Sequence, residues 1–334
     1  MKNYFVVIII IFVQQANAQV KPVFTTRDKS RVSIDSMYNY RFEAIDSAGR
    51  KINYVAGALP AWLRFNKSYQ TISGKPLKAG QYPIHLRAIA GKDTTSQRFM
   101  LTVYNNETVN ILAAGNSITN GTDTFNSYRR RLWTLLHDQQ YNFDFIGSWN
   151  KHHMGGEVPD PDFDMDHEGH SGWTFDHFFN PPSWDSAKGN IYSWLRIYKP
   201  DVILLELGTN DVFQCRKTGD MIANLSKLVE VFRTANLRAK IFVAQIPPLG
   251  PKWSAQDLCS NGAYSIWVNA LNNEIAAFAM KNTTTVSPIT VVDQFTGIDA
   301  GIHMYDDIHP NDAGEKIMAQ RWFDAIEKIL PKLK

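Results

Sequence analysis

The chain has 334 residues, of which 44% are hydrophobic, 20% charged and 12% aromatic, so a mainly disordered state is excluded and a sizeable core is available. Thirty-five Lys and Arg against 32 Asp and Glu leave a net charge of +3, too small to argue for a nucleic-acid or membrane-surface partner. At roughly 150 residues per domain, the length points to about two domains.

The first 18 residues read as an export signal. Lys2 precedes an apolar run over residues 4–13, and Ala16-Asn17-Ala18 forms a small-residue cleavage site, so cleavage is expected after Ala18. That run is about half the roughly 20 residues a spanning helix needs, which argues against an uncleaved anchor, and no later run is long and apolar enough to span, so no stable membrane insertion is expected after cleavage. The expected location is secreted or periplasmic. In such an oxidising compartment the only two cysteines, Cys215 and Cys259, are expected to be bonded to each other. Neither lies in a C-x-x-C or C-x-x-H pattern, which argues against a zinc site.

Residues 19–105 show short alternating runs, as in Tyr82-Pro83-Ile84-His85-Leu86-Arg87-Ala88, broken at Gly57, Pro60, Gly74, Pro76 and Gly80. No helical periodicity interrupts them, so the segment is expected to be an all-β sandwich. Ala58-Leu59-Pro60-Ala61-Trp62-Leu63, Thr71-Ile72-Ser73-Gly74-Lys75-Pro76 and Ala79-Gly80-Gln81-Tyr82 follow the rhythm of bacterial immunoglobulin-like modules, which this segment resembles. That resemblance implies a fold and no chemistry.

After a polar hinge at Asn105-Asn106-Glu107 the pattern over residues 106–334 changes to α/β alternation. Strands are expected at 109–114, 143–147, 201–207, 239–246 and 290–292, and helices at 127–139, 189–198, 219–235, 264–280 and 312–330. Such alternation builds a mainly parallel five-stranded sheet covered on both faces, with its active site at the carboxyl ends of the strands.

Four blocks fall at those ends. Gly115-Asn116-Ser117 exposes a serine hydroxyl on a strand-to-helix turn, where an ordinary helix-capping serine is the alternative. Asp306 lies three residues before His309, close enough to fix the imidazole tautomer and make His309 a general base, where an ordinary surface turn is the alternative. Asn210, in Gly208-Thr209-Asn210-Asp211, offers an amide donor to a developing oxyanion, where a turn-forming residue is the alternative. The block Asp166-His167-Glu168-Gly169-His170-Ser171-Gly172-Trp173-Thr174 adds glycine backbone donors beside an aromatic ring. Taken in chain order, Ser117, the 166–174 glycine block, Asn210 and then Asp306-x-x-His309, the four blocks resemble the SGNH/GDSL hydrolase superfamily, with a three-layer, flavodoxin-like fold.

The resemblance implies Ser117 as nucleophile, Asp306 and His309 as the other triad members, and the Ser117 amide, Gly169 and Asn210 as the oxyanion hole. Gly172 is the alternative to Gly169. Asn116 departs from the usual Gly-Asp-Ser, which is expected to alter hydrogen bonding around the turn. Phe145-Ile146-Gly147-Ser148, followed by the 166–174 block, is similar to secreted acetylxylan-type carbohydrate esterases. An acylated polysaccharide or oligosaccharide is therefore the expected substrate, with His167 and Trp173 as candidate substrate-binding residues and Trp149 and Trp184 as further candidates for stacking on sugars; packing in the core or the loops is the alternative for these tryptophans.

No cofactor is needed for this chemistry, and no metal is expected. Asp160, Asp162, Asp164 and Asp166 recur at every second residue, but the glycine of a calcium loop is absent, so a solvated acidic loop is expected there. The rival readings are a lipid or aryl esterase or lysophospholipase of the same superfamily, and a glycan-binding protein whose hydrolase domain is inactive.

Overall fold

The computed structural model describes residues 21–334 apart from 154, 157, 257, 258 and 260–262, so the expected export signal lies outside the described residues. The first nine strands are β1 (Val23–Phe24), β2 (Arg31–Ser33), β3 (Tyr38–Arg41), β4 (Ala44–Ile45), β5 (Ile52–Ala56), β6 (Arg64–Asn66), β7 (Thr71–Gly74), β8 (Gly80–Ala90) and β9 (Asp93–Tyr104). They build an immunoglobulin-like sandwich from a four-stranded sheet of order β2-β9-β8-β5 and a three-stranded sheet of order β3-β7-β6, with β1 and β4 paired separately. Period-two alternation turns Ile84 and Leu86 of β8 and Phe99, Leu101 and Val103 of β9 inward, onto Tyr38, Tyr40, Phe42 and Ile72.

The second domain runs β10 (Val109–Gly115), α1 (Ser117–Asn120), α2 (Tyr128–Asp138), β11 (Phe143–Ile146), β12 (Glu168–Gly169), α3 (Ile191–Trp194), β13 (Val202–Glu206), α4 (Thr209–Phe213), α5 (Thr218–Ala235), β14 (Lys240–Ala244), α6 (Pro251–Ser254), α7 (Tyr264–Asn282), β15 (Ile289–Val292), α8 (Ala300–His303) and α9 (Asp312–Ile326). Its strands are parallel in the order β11-β10-β13-β14-β15, the 2-1-3-4-5 arrangement of flavodoxin-like sheets. The sequence reading missed a sixth strand. β12 adds only the pairs Ala114↔Glu168 and Gly115↔Gly169 beyond the end of β11, too short to leave a period in the sequence.

Both faces of the sheet are buried, and alternate residues divide between two cores. Leu112, Ile203, Leu205, Ile241 and Val243 pack under α5 and α7, while Ile111, Val202, Leu204, Phe242 and Ala244 pack under α2 and α9. Each large aliphatic side chain so buried stabilises the fold by roughly 1.5–3 kcal/mol relative to leaving it in water. The helix expected at 189–198 shrinks to α3, which Asn190 and Ser193 start with a reciprocal capping box and which gives way to turns before Pro200. Similarly, α9 stops at Ile326 and continues as a 3₁₀ turn ahead of Pro331.

The two domains are in contact through polar pairs. Arg31 meets Asp144 at 3.0 Å and donates to Asn110 Oδ1 at 3.0 Å, Ser30 Oγ donates to Asp166 at 3.0 Å, and Asn150 donates to Asp28 at 2.9 Å. Met100 of β9 inserts its side chain into the core beneath α2.

Candidate active site

Gly115 ends β10 where no side chain fits: a Cβ there would lie 2.2 Å from the Glu206 carbonyl oxygen. The chain then turns sharply into α1, and Asn116 caps that turn by accepting from the Ile118 N–H at 2.8 Å. This is the bond an aspartate would accept in the same place. The difference is the Asn116 Nδ2, which is buried without a partner among the described residues.

Ser117 opens α1, and its Oγ lies 2.8 Å from His309 Nε2. His309 Nδ1 lies 2.7 Å from Asp306 Oδ2, while Asp306 Oδ1 accepts from the backbone N–H groups of His309 at 2.7 Å and Ile308 at 3.1 Å. Burial acts to raise the Asp306 carboxyl, but the backbone and imidazole N–H groups of His309 outweigh it and hold the group below the usual carboxylate range. The structure thus brings Ser117, His309 and Asp306 into one hydrogen-bonded line. Asn210 stands in α4 at the end of β13, one of its Nδ2 protons donated to the Trp173 carbonyl at 2.9 Å. Its neighbour Asp211 accepts from the Phe175 N–H, so α4 and the 173–175 segment are tied together.

Gly169 is placed otherwise than the sequence reading expects. It lies in β12 against α1, and its N–H already donates to His167 Nδ1 at 2.8 Å. That bond leaves no amide proton for a substrate oxygen. Gly172 is three residues on, at a half-buried turn with φ +79°, next to the Trp173 carbonyl that holds Asn210. Among the described residues its N–H has no backbone or side-chain acceptor, and the same holds for the Ser117 N–H.

His167 and Trp173, expected to touch substrate, are both fully buried. His167 accepts through Nδ1 and donates through Nε2 to the Lys151 carbonyl, and burial together with Arg129 pushes its pKa well down, so it is a neutral strut. Trp173 stacks on His170 at 4.3 Å and donates to Asp185, inside the α5 and α7 core. Trp149 is capped by the Lys188 ammonium. Trp184, by contrast, is 65% exposed and lies over Gly172, while Tyr305, 43% exposed, stacks between Phe125 and His309.

The acidic loop divides in two. Asp160 and Asp162 are exposed beside Arg130, as a solvated loop would be, but Asp164 and Asp166 are buried with Asp144, and burial pushes all three carboxyls up. No group of three or more His, Cys, Asp or Glu among the described residues is arranged to hold a metal ion. The expected bond between Cys215 and Cys259 is present, joining the end of α4 to the loop after α6 with Cα atoms 5.3 Å apart.

Sequence reasoning missed two supporting groups. Arg129 is fully buried in α2 and donates to the carbonyls of Thr119 (2.7 Å), Asn120 (3.1 Å) and Met165 (2.9 Å). Its helical spacing to Leu132, Trp133 and Leu136 was the available signal. Glu168, also fully buried, accepts from the Ser148 hydroxyl, His170 Nε2 and the Tyr198 hydroxyl, and no pattern in the sequence announces it.

A family model described as GDSL-like lipase/acylhydrolase matches residues 113–317, more than half of the chain. The chain belongs to the GDSL-like lipase/acylhydrolase family. An Ig-domain model matches residues 19–104 of this GDSL-type protein. A multidomain esterase of Ruminococcus flavefaciens is 29% identical over 237 residues, covering 67% of the chain. The chain spans about three tenths (29%) of that curated relative's length. Among solved structures, a family 3 carbohydrate esterase of Talaromyces cellulolyticus is 28% identical with a TM-score of 0.52, covering 66% of this chain and 97% of that one. A family 3 carbohydrate esterase of Clostridium thermocellum is 26% identical with a TM-score of 0.51, covering 66% and 96%.

Proposed function

We propose that this GDSL-type protein is an exported serine esterase that removes acyl groups, acetyl foremost, from carbohydrate. The observation that carries the reading is the line from Ser117 Oγ through His309 to Asp306, with contacts of 2.8 and 2.7 Å. In this reading His309 takes the Ser117 proton as Oγ attacks the acyl carbonyl, and Asp306 stabilises the imidazolium. The tetrahedral oxyanion sits among the N–H groups of Ser117 and Gly172 and the second Nδ2 proton of Asn210. Collapse expels the sugar oxygen, which takes its proton from His309, and water then releases the acyl-enzyme by the same route. Gly172 replaces Gly169 as donor because the Gly169 amide proton is already bonded to His167.

The carbohydrate part of the reading is supported by the family 3 carbohydrate esterases among its structural relatives and by the exposed rings of Trp184 and Tyr305 beside the reacting groups. The test measures acetate release from acetylated xylan and from an aryl acetate, by the parent and by Ser117→Ala. Release from both substrates that vanishes in the variant is expected. Turnover that survives Ser117→Ala overturns the nucleophile; a preference for long-chain aryl esters with no release from xylan overturns the substrate.

A further inference from the structure

The net charge of +3 conceals a strong separation. Residues 19–104 carry 14 Lys and Arg against five Asp and Glu, a net of +9, whereas residues 105–334 carry 20 against 27, a net of −7. Part of the positive charge is used between the domains, where Arg31 pairs with Asp144 and Arg27 stands 4.0 Å from Asp166. Part is used within the sandwich, where Arg50 pairs with Asp46 and Asp93. Most of the remainder is exposed.

Much of it lies on the outer face of the β3-β7-β6 sheet. The strand register sets Asn39, Ser73 and Arg64 in one outward row and Arg41, Thr71 and Asn66 in the next. Lys67 follows β6, Lys75 follows β7, and Lys29 reaches the same sheet by donating to the Asn39 carbonyl at 3.2 Å. Among the described residues the one ion pair here is Arg41–Glu43, both half or more exposed, and none of Arg64, Lys67 and Lys75 has a carboxylate within pairing distance. The Lys29 segment also docks on the loops around Asn150 and Asp166, so this face begins beside the chain that leads into the 168–173 block.

We propose that the exposed face of β3, β7 and β6 binds a polyanionic polysaccharide, a chain bearing uronate groups. Cations set apart by Asn, Ser and Thr suit a polymer that alternates carboxylates with hydroxyls; an acyl-lipid surface would gain nothing from the two polar rows. Binding of this kind is driven by exposed charge, so it weakens as salt rises. The choice of polymer rests on the carbohydrate reading above, but the charge separation does not, and the two can fail separately.

The test is affinity electrophoresis of the full chain in gels containing polygalacturonate, glucuronoxylan or neutral xylan, at low and at physiological salt. Arg64→Glu/Lys67→Glu/Lys75→Glu is compared with Arg87→Glu/Lys92→Glu/Arg98→Glu, which changes the net charge equally from the other sheet and the β8–β9 turn. The parent is expected to be retarded by the two anionic polymers and not by neutral xylan. The first variant is expected to bind them about tenfold more weakly, and the second to bind within about threefold of the parent. Equal loss in both variants, equal retardation by neutral xylan, or binding only to anionic-lipid vesicles or to nucleic acid overturns the proposal. Aryl acetate turnover, measured in parallel, is expected to be unchanged in both variants; its absence from the parent counts against the esterase reading alone.

Discussion

Replacing Arg129 by methionine tests whether the nucleophile is held in place from behind. The guanidinium is fully buried and bonded to three carbonyl oxygens, two of them from the turn just after Ser117 and one from the chain that enters β12. Burial pulls its pKa down to about 10, with Tyr128, Asp164, Glu315 and Asp166 acting in the opposite direction, so it remains a cation at neutral pH. Methionine fills much of the space but leaves the three oxygens without donors, at about 1–3 kcal/mol each, partly offset by relief of the buried charge. The net loss is about 3–5 kcal/mol, which at about 2–4 °C per kcal/mol lowers the melting temperature by roughly 10 °C.

A second consequence is kinetic. α1 and the chain entering β12 share this one side chain, and misplacing a reacting group by about 1 Å costs up to about 100-fold in rate. Near-UV circular dichroism against temperature gives the melting point, and kcat on an aryl acetate, measured well below it, gives the rate. Arg129→Lys, which keeps the charge but reaches fewer oxygens, is expected to fall between the parent and Arg129→Met. If Arg129→Met melts within about 2 °C of the parent and retains kcat within about twofold, Arg129 is not a positioning residue and the reasoning fails.

Asn210→Ala is expected to lower kcat by about 10²–10³ with little change in melting, since it removes one oxyanion donor and only one bond, to the Trp173 carbonyl; a loss below about fivefold would remove Asn210 from the oxyanion hole. Gly169→Ala is expected to fold poorly, because its Cβ would lie 2.6 Å from the Asn120 nitrogen, whereas Gly172→Ala is expected to fold, at about 1–2 kcal/mol for a φ of +79°, and to lose turnover because, although alanine keeps the N–H, relief of that φ and of a Cβ 3.2 Å from Trp184 turns it away from the oxyanion. Soluble yield and kcat measured on the pair decide between the two glycines; a well-folded, inactive Gly169→Ala beside a fully active Gly172→Ala would reverse the assignment. Burial pushes Glu206 up to about 8 and Asp211 and Glu315 up to about 7, so the folded chain keeps protons that the unfolded chain releases near pH 4. Their sign is therefore a stability that is full below about pH 4 and falls as pH rises through 7–8, and the urea midpoint of Glu206→Gln is expected to decline less between pH 5.5 and 8.5 than that of the parent; an equal decline refutes it.

What could be read from the sequence depended on how local the signal is. The strands of the second domain were legible because a parallel sheet covered on both faces needs unbroken apolar runs such as Ile111-Leu112-Ala113-Ala114 and Val202-Ile203-Leu204-Leu205. Ser117, Asn210, Asp306 and His309 stood out because each follows a strand or precedes a helix with the residue type that acyl transfer requires. The choice between Gly169 and Gly172 was not legible, since it turns on where a neighbouring imidazole spends its acceptor. Nor could composition tell Trp173, which fills the core, from Trp184, which stands in water, because an aromatic ring serves either place.

The acidic run gives the clearest case of a signal decided at long range. Four aspartates at alternate positions look solvated, and Asp160 and Asp162 are, but Asp164 and Asp166 sit inside because the sandwich closes over them. Arg31 and Ser30, about 110–140 residues earlier in the chain, supply the charge and hydroxyl that let Asp144 and Asp166 be buried at all. Asp164 in turn accepts from the Phe145 N–H in β11 and the Asp166 N–H, two residues before Glu168. The first domain is thus continuous with the support of the segment that carries Gly172, and the basic charge that reads as a small excess over the whole chain divides into a part that secures this contact and a part left facing outward.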